Sequence, residues 1–159
     1  MKILGIDPGT ATTGYGFIEK NGEGYEFVEF GLIQTAKEEL PERRLNSIYK
    51  EMLSIIKLYN PDIIAIERLF FATNVKTAMS VSQAKGVIML AAARRNVKIV
   101  EFTPMEVKKT IAGSGNAKKD AMKSTVRKIL KVRSKKKQKT HFDDAADALA
   151  IALCYFERQ

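Results

Sequence analysis

Asp7 and Glu67 each close a run of residues too apolar to leave exposed, KILGID in one case and IIAIE in the other. A carboxylate at the end of a buried strand has ordinary explanations: Asp7 can form an Asx-turn into Pro8-Gly9, and Glu67 can partner Arg68 or a nearby lysine. A third pair is harder to dismiss. Asp144-Ala-Ala-Asp147 sets two carboxylates at i and i+3 on one face of a helix. Asp143 stands at i−4 from Asp147, and capping of the helix N-terminus can account for one or two of these acids. It accounts poorly for Asp147, which sits a full turn in, beside Ala148, Leu149, Ala150 and Ile151. Four carboxylates brought together raise one another's pKa unless a cation neutralises them. All-oxygen ligation suits Mg²⁺ or Mn²⁺ better than zinc. Two such ions about 4 Å apart can clamp the attacking and leaving oxygens of a phosphodiester, so the expected chemistry is metal-dependent cutting of nucleic acid.

The elements that must position these acids follow from pattern. Residues 2–7 read as a strand stopped by Asp-Pro-Gly, and residues 14–19 and 25–33 as an antiparallel meander with a turn at Asn21-Gly22. Over Pro41–Tyr59, Leu45, Ile48, Tyr49, Met52, Ile55, Ile56 and Tyr59 recur at steps of three and four, one face of a helix that Asn60-Pro61 stops. Residues 63–67 read as a buried central strand, 74–96 as a helix, and 97–102 as another strand. Thr103-Pro104 opens a short helix by N-cap and first-turn proline. A basic helix over 117–132, a Lys-rich loop over 134–140 and a closing helix over 143–157 complete the chain. The order β-β-β-α-β-α-β-α-α-α predicts an α/β fold: one mixed five-stranded sheet flanked by helices, in a single domain over 1–159. The two strands ending in Asp7 and Glu67 should run parallel, so their acids share one crevice at the carboxyl end of the sheet.

The chain of 159 residues carries 27 Lys and Arg against 18 Asp and Glu, a formal charge of +9 and a pI near 9.6. That balance implies a polyanionic partner. Between Lys118 and Lys139 lie eleven Lys or Arg and one acid, Asp120, with Lys123, Arg127, Lys128 and Lys131 along one flank of the basic helix. Gly113-Ser114-Gly115 precedes that helix, whose first amides could hold a phosphate. Phe70-Phe71 follow Glu67 closely enough for one of them, Phe70, to stack on an exposed base, with Phe71 assigned to the core. The lone cysteine, Cys154, excludes an intrachain disulfide and a Cys-based zinc site. The N-terminus enters a strand directly and the longest apolar stretch, 87–93, falls far short of the roughly 20 residues a membrane span needs. A soluble, cytoplasmic protein with no membrane partner is expected.

Four segments in this order, GIDPGTATTGYG, AIERLFFATN, QAKG and DAADALAIA, resemble the bacterial RuvC-type Holliday junction resolvases nearly from end to end. The resemblance implies a ribonuclease H-like fold and a homodimer that uses Mg²⁺ or Mn²⁺. It implies paired, symmetric nicks in four-way DNA junctions that leave 5′-phosphate ends, with the branch-migration proteins RuvA and RuvB as partners. Matched by motif, Asp7, Glu67, Asp144 and Asp147 would be the catalytic metal ligands, Phe70 the aromatic at the junction, and Lys108 and Lys119 the phosphate-contacting lysines. Asp143 and the lysines of 135–139 depart from the pattern and leave the ligands of the last helix less defined; His141 could also contact the site, although a lone histidine there is more often a surface residue. The helix over 74–96, with Met79, Ala91 and Ala92, is the expected dimer interface, a two-fold arrangement that suits a junction of the same symmetry. GIDPGT also resembles the phosphate-binding turn of actin-like ATPases, but those need two such domains, and 159 residues do not supply them.

Overall fold

A computed structural model describes residues 1–22, 24–69, 75–131 and 139–159; side chains at 139–141, 143 and 144 are excluded from that description. The sheet holds β1 (Lys2–Asp7), β2 (Thr12–Asn21), β3 (Gly24–Gln34), β4 (Ile63–Glu67) and β5 (Lys98–Phe102), in the spatial order β3-β2-β1-β4-β5. β1, β2 and β3 form the antiparallel meander, while β4 lies parallel to both β1 and β5. The meander strands run a little beyond their expected ends, because ladder pairing continues from Thr12–Gln34 to Asn21–Gly24.

Alternation along the strands divides the core in two. Leu4, Ile6, Ile64 and Ile66 face one side with Ile48, Met52 and Ile56 of α1 (Pro41–Tyr59) and Ala84, Ile88, Ala91 and Ala92 of α2 (Val75–Arg94). Ile3 and Ala65 face the other side with α5 (Lys139–Glu157), α3 (Pro104–Ala112) and α4 (Lys119–Leu130). The expected interface on α2 therefore needs correcting: Ala91 and Ala92 are 0% exposed within one copy, whereas Met79 is 60% exposed. Val75, Met89 and Leu90 are the other large apolar side chains that α2 leaves outside.

α5 begins at Lys139, four residues before its expected start, so Lys139 and Thr140 belong to a helix and not to the Lys-rich loop. The reason is Phe142, which is buried edge-to-face against Phe30 at 5.6 Å, beneath the Arg127 guanidinium at 5.0 Å. This contact sets Arg127, one of the cations expected along the basic flank of α4, over a buried aromatic ring. It also removes N-terminal capping as the explanation of Asp143 and Asp144, whose backbones lie beyond the first turn. From Ala145 on, α5 is buried on nearly every side, between the sheet and α3 and α4, so the last helix of the chain is also the central one.

Small residues allow that burial. A Cβ on Gly5 would overlap the Ala148 carbonyl oxygen and lie 2.8 Å from the Ala152 nitrogen, and one on Gly16 would lie 2.7 Å from Leu149 Cγ. At Gly5 the backbone of α5 rests directly on β1, the close approach that the alanines of DAADALAIA suggested.

Candidate active site

β1 and β4 are in register, with Ile6 paired to Ile66, so Asp7 and Glu67 are the next residues on adjacent parallel strands. Both belong to the set Ile3, Gly5, Asp7 and Ala65, Glu67 that faces α5. Seating Ala148 on Gly5 places Asp147 over the same strand ends. Asp7, Glu67 and Asp147 line one crevice of about 390 Å³, together with Lys108 of α3 and Lys119 of α4. Pro104, Val107, Met122, Ala150 and Ile151 form its apolar walls.

Those walls determine the electrostatics. Burial pushes the Asp7 carboxyl up to about 6; the Asp147 charge adds to the rise and Lys119 opposes it. Glu67 is pushed further, to about 7, by burial first and then by Asp7 and Asp147, against the pull of Lys108 and Lys119. Lys119 Nζ lies 3.1 Å from Asp147 Oδ2, which puts an ammonium among carboxylates that otherwise repel. Among the described residues the crevice is lined by carboxylates and lysines with no histidine or cysteine, and oxygen donors of that kind suit a hard divalent cation.

The turn after Asp7 is closed by Thr13, a fully buried residue whose hydroxyl donates to Gly9 O at 2.7 Å and accepts from Gly9 N at 3.3 Å. Thr35 Oγ1 donates to Thr10 O at 2.5 Å, and Thr10 also hydrogen-bonds Ser80 of α2. Sequence reading passed over Thr13, Thr35 and Ser80, because one hydroxyl in a polar segment carries no periodic signal. α3 is set by the capping box that Thr103 forms with Glu106, and Arg158 at the end of α5 holds Glu106 at 2.6 Å. Gly113 acts as the left-handed C-cap of α3, with φ of 77°, so it ends that helix before the chain turns into α4. Arg68 pairs with Glu101 at 3.4 Å, so it is not the partner proposed for Glu67. Phe70, Phe71 and the side chains of His141, Asp143 and Asp144 lie outside the described residues.

The family model described as "Crossover junction endodeoxyribonuclease RuvC" matches residues 3–155. The chain belongs to the RuvC family of crossover junction endodeoxyribonucleases. A RuvC relative from Caldicellulosiruptor saccharolyticus is 45% identical over 156 residues, 98% of this chain and 92% of that one. The solved RuvC of Thermus thermophilus superposes with a TM-score of 0.86 at 31% identity, covering 99% of this chain and 94% of that one. The same protein in complex with a Holliday junction substrate gives 0.88 at 29% identity, with the same coverage. The ribonuclease H-like architecture is thus shared along the chain, and in this RuvC-family protein the crevice lies at the carboxyl ends of β1 and β4.

Proposed function

We propose that this RuvC-family endodeoxyribonuclease resolves Holliday junctions by metal-dependent phosphodiester hydrolysis at the Asp7–Glu67–Asp147 crevice, from one nuclease domain over 1–159. The supporting observation is that three carboxylates from three separate elements line one apolar-walled crevice, and that two of them are pushed up to about 6 and about 7. A surface that only bound DNA would have no use for acids held at such a cost. Asp7, Glu67, Asp147 and Asp144, the last one turn from Asp147 on the same helix, are the ligands proposed for Mg²⁺ or Mn²⁺, two ions per site. When bound, these cations neutralise the carboxylates and polarise the phosphate under attack.

The remaining work falls to the protein's own side chains. Asp7 and Glu67 release protons to receive the cations, which couples metal binding to pH. Lys108 and Lys119 hold the phosphates on either side of the cut, and Lys119 exchanges its Asp147 partner for a phosphate as DNA enters. Phe70 is the aromatic proposed to meet the opened junction. A homodimer carries two such sites, one for each of two equivalent strands. The exposed apolar side chains of α2 (Val75, Met79, Met89 and Leu90) are the surface proposed to join the copies. The proposed setting is the cytoplasm, with RuvA and RuvB as partners; among the described residues no helix is long and apolar enough to cross a membrane.

Incubation with a synthetic mobile four-way junction and Mg²⁺ tests the reading. Paired symmetric nicks leaving 5′-phosphates are expected, with linear duplex and flap DNA spared. Asp7→Asn should bind the junction and leave it uncut; cleavage by that variant at the normal rate would move the metal site elsewhere.

A further inference from the structure

A second charged cluster lies on the other face of the same sheet edge. Lys85 of α2 is only 7% exposed, and its Nζ lies 2.9 Å from Glu101 Oε1 on β5. The second carboxylate oxygen, Oε2, accepts from Arg68 Nε at 3.4 Å. Arg68 directly follows Glu67, and its backbone nitrogen donates to Phe102 O at 2.7 Å, extending the β4–β5 ladder by one residue. Strand alternation turns the two neighbours opposite ways: Glu67 faces α5 and the crevice, and Arg68 faces α2 with Ile66 and Glu101, which pair across the strands.

Taking an ammonium out of water is costly, and an apolar side chain of similar length would fill the site of Lys85 without that cost. The Lys85–Glu101 pair has a further consequence. It fixes a carboxylate under the Arg68 guanidinium, whose side chain is 58% exposed, and leaves the three-group cluster with a net charge of +1. A planar cation steered by its Nε and open to solvent, one residue from a proposed metal ligand, is suited to a phosphate oxygen.

We propose that Arg68 is a DNA-phosphate contact, oriented by the Glu101–Lys85 pair, that grips the substrate backbone beyond Glu67 on the sheet face opposite Lys108 and Lys119. The proposal rests on the four-way DNA reading above. Arg68 acts directly on the substrate, and Lys85 and Glu101 are positioning residues that act through it.

The test is binding of a synthetic four-way junction in EDTA, where no cutting occurs, measured across a range of salt. Arg68→Ala should weaken binding by about 3- to 10-fold at low salt and reduce the slope of log K against log salt by about one. Arg95→Ala removes another exposed cation from the turn at the opposite, amino-terminal end of β5, and should change binding less than about twofold. Lys85→Met should weaken binding as Arg68→Ala does, because Glu101 then has only Arg68 to neutralise it, and Lys85→Arg should restore it. Unchanged affinity and slope for Arg68→Ala, or a loss no greater than for Arg95→Ala, would overturn the proposal. Because Arg68 is exposed, its variants decide the matter even where Lys85→Met fails to fold. Wild-type protein that binds duplex but not the junction would instead defeat the function proposed above, and Arg68→Ala could still be scored on the duplex.

Discussion

The carbonyl oxygen of Ala148 occupies the space that a Cβ on Gly5 would need, so α5 sits on the bare backbone of β1. This contact lies two residues from Asp7 and one from Asp147, and it sets the distance between them. Gly5→Ala must push the helix outward, and the Ala148 and Ala152 backbone cannot yield as a flexible side chain would. Destabilisation of about 1–3 kcal/mol or more is expected in chemical denaturation, with weaker Mg²⁺ binding in whatever protein remains folded. A fully stable Gly5→Ala protein with normal Mg²⁺ affinity would show that the approach is not tight.

The crevice also predicts how stability depends on pH. Asp7 and Glu67 hold protons more tightly folded than unfolded, with values of about 6 and about 7 against ordinary carboxylate values near 4. Metal-free protein should therefore be most favoured at the acid end of this window and lose stability as pH rises from about 4 through about 7, by an amount on the order of 1–3 kcal/mol. Saturating Mg²⁺ should remove that loss, since the cation replaces the protons. Melting temperatures in EDTA and in Mg²⁺ across this range check both halves; parallel curves would mean that the carboxylates do not face the cation.

Asp7→Asn tests the same physics without a metal. Removing one of the repelling charges should raise the stability of metal-free protein at pH 8 by about 1–2 kcal/mol relative to wild type, while cleavage is lost. A destabilised variant would mean that the Asp7 carboxylate contributes a stabilising bond that outweighs its burial.

Lys119 stands 71% exposed beside Asp147. Lys119→Ala should weaken binding to four-way DNA of any sequence and lower the salt slope by about one, while sharpening the pH dependence because the carboxylates lose a compensating cation. Binding titrations at several salt concentrations check this, and an unchanged slope would take Lys119 off the phosphates.

For Phe70→Ala the cleavage rate should fall further than junction affinity, since a stacking aromatic serves the opened state more than the encounter. Single-turnover cleavage set beside equilibrium binding separates the two. Equal losses in both would return Phe70 to a packing role.

Much of the site was legible in the chain itself. An acid ending a run of isoleucines is a local conflict between polarity and burial, and it was visible at Asp7 and Glu67 before any fold was known. The three-four periodicity of Pro41–Tyr59 and the Thr103-Pro104 capping signal were equally local, and both elements formed as expected. Glu101 went unnoticed although it also lies near the end of an apolar strand, because its meaning depends on Lys85, sixteen positions away on a different element. The start of α5 was misplaced because what holds its first turns, Phe142 between Phe30 and Arg127, is tertiary.

The sequence alone determined which residues would conflict with a core, the order and type of the elements, the positive charge that calls for a polyanion, and the likeness to RuvC-type resolvases. Those properties are carried by residue type and spacing. Only the tertiary structure decided that α5 is central, that Ala91 and Ala92 are spent inside one copy, and that Asp7, Glu67 and Asp147 share one crevice whose apolar walls push Asp7 and Glu67 up to about 6 and about 7. Such facts depend on which surfaces exclude water together, and no single segment of the chain specifies that.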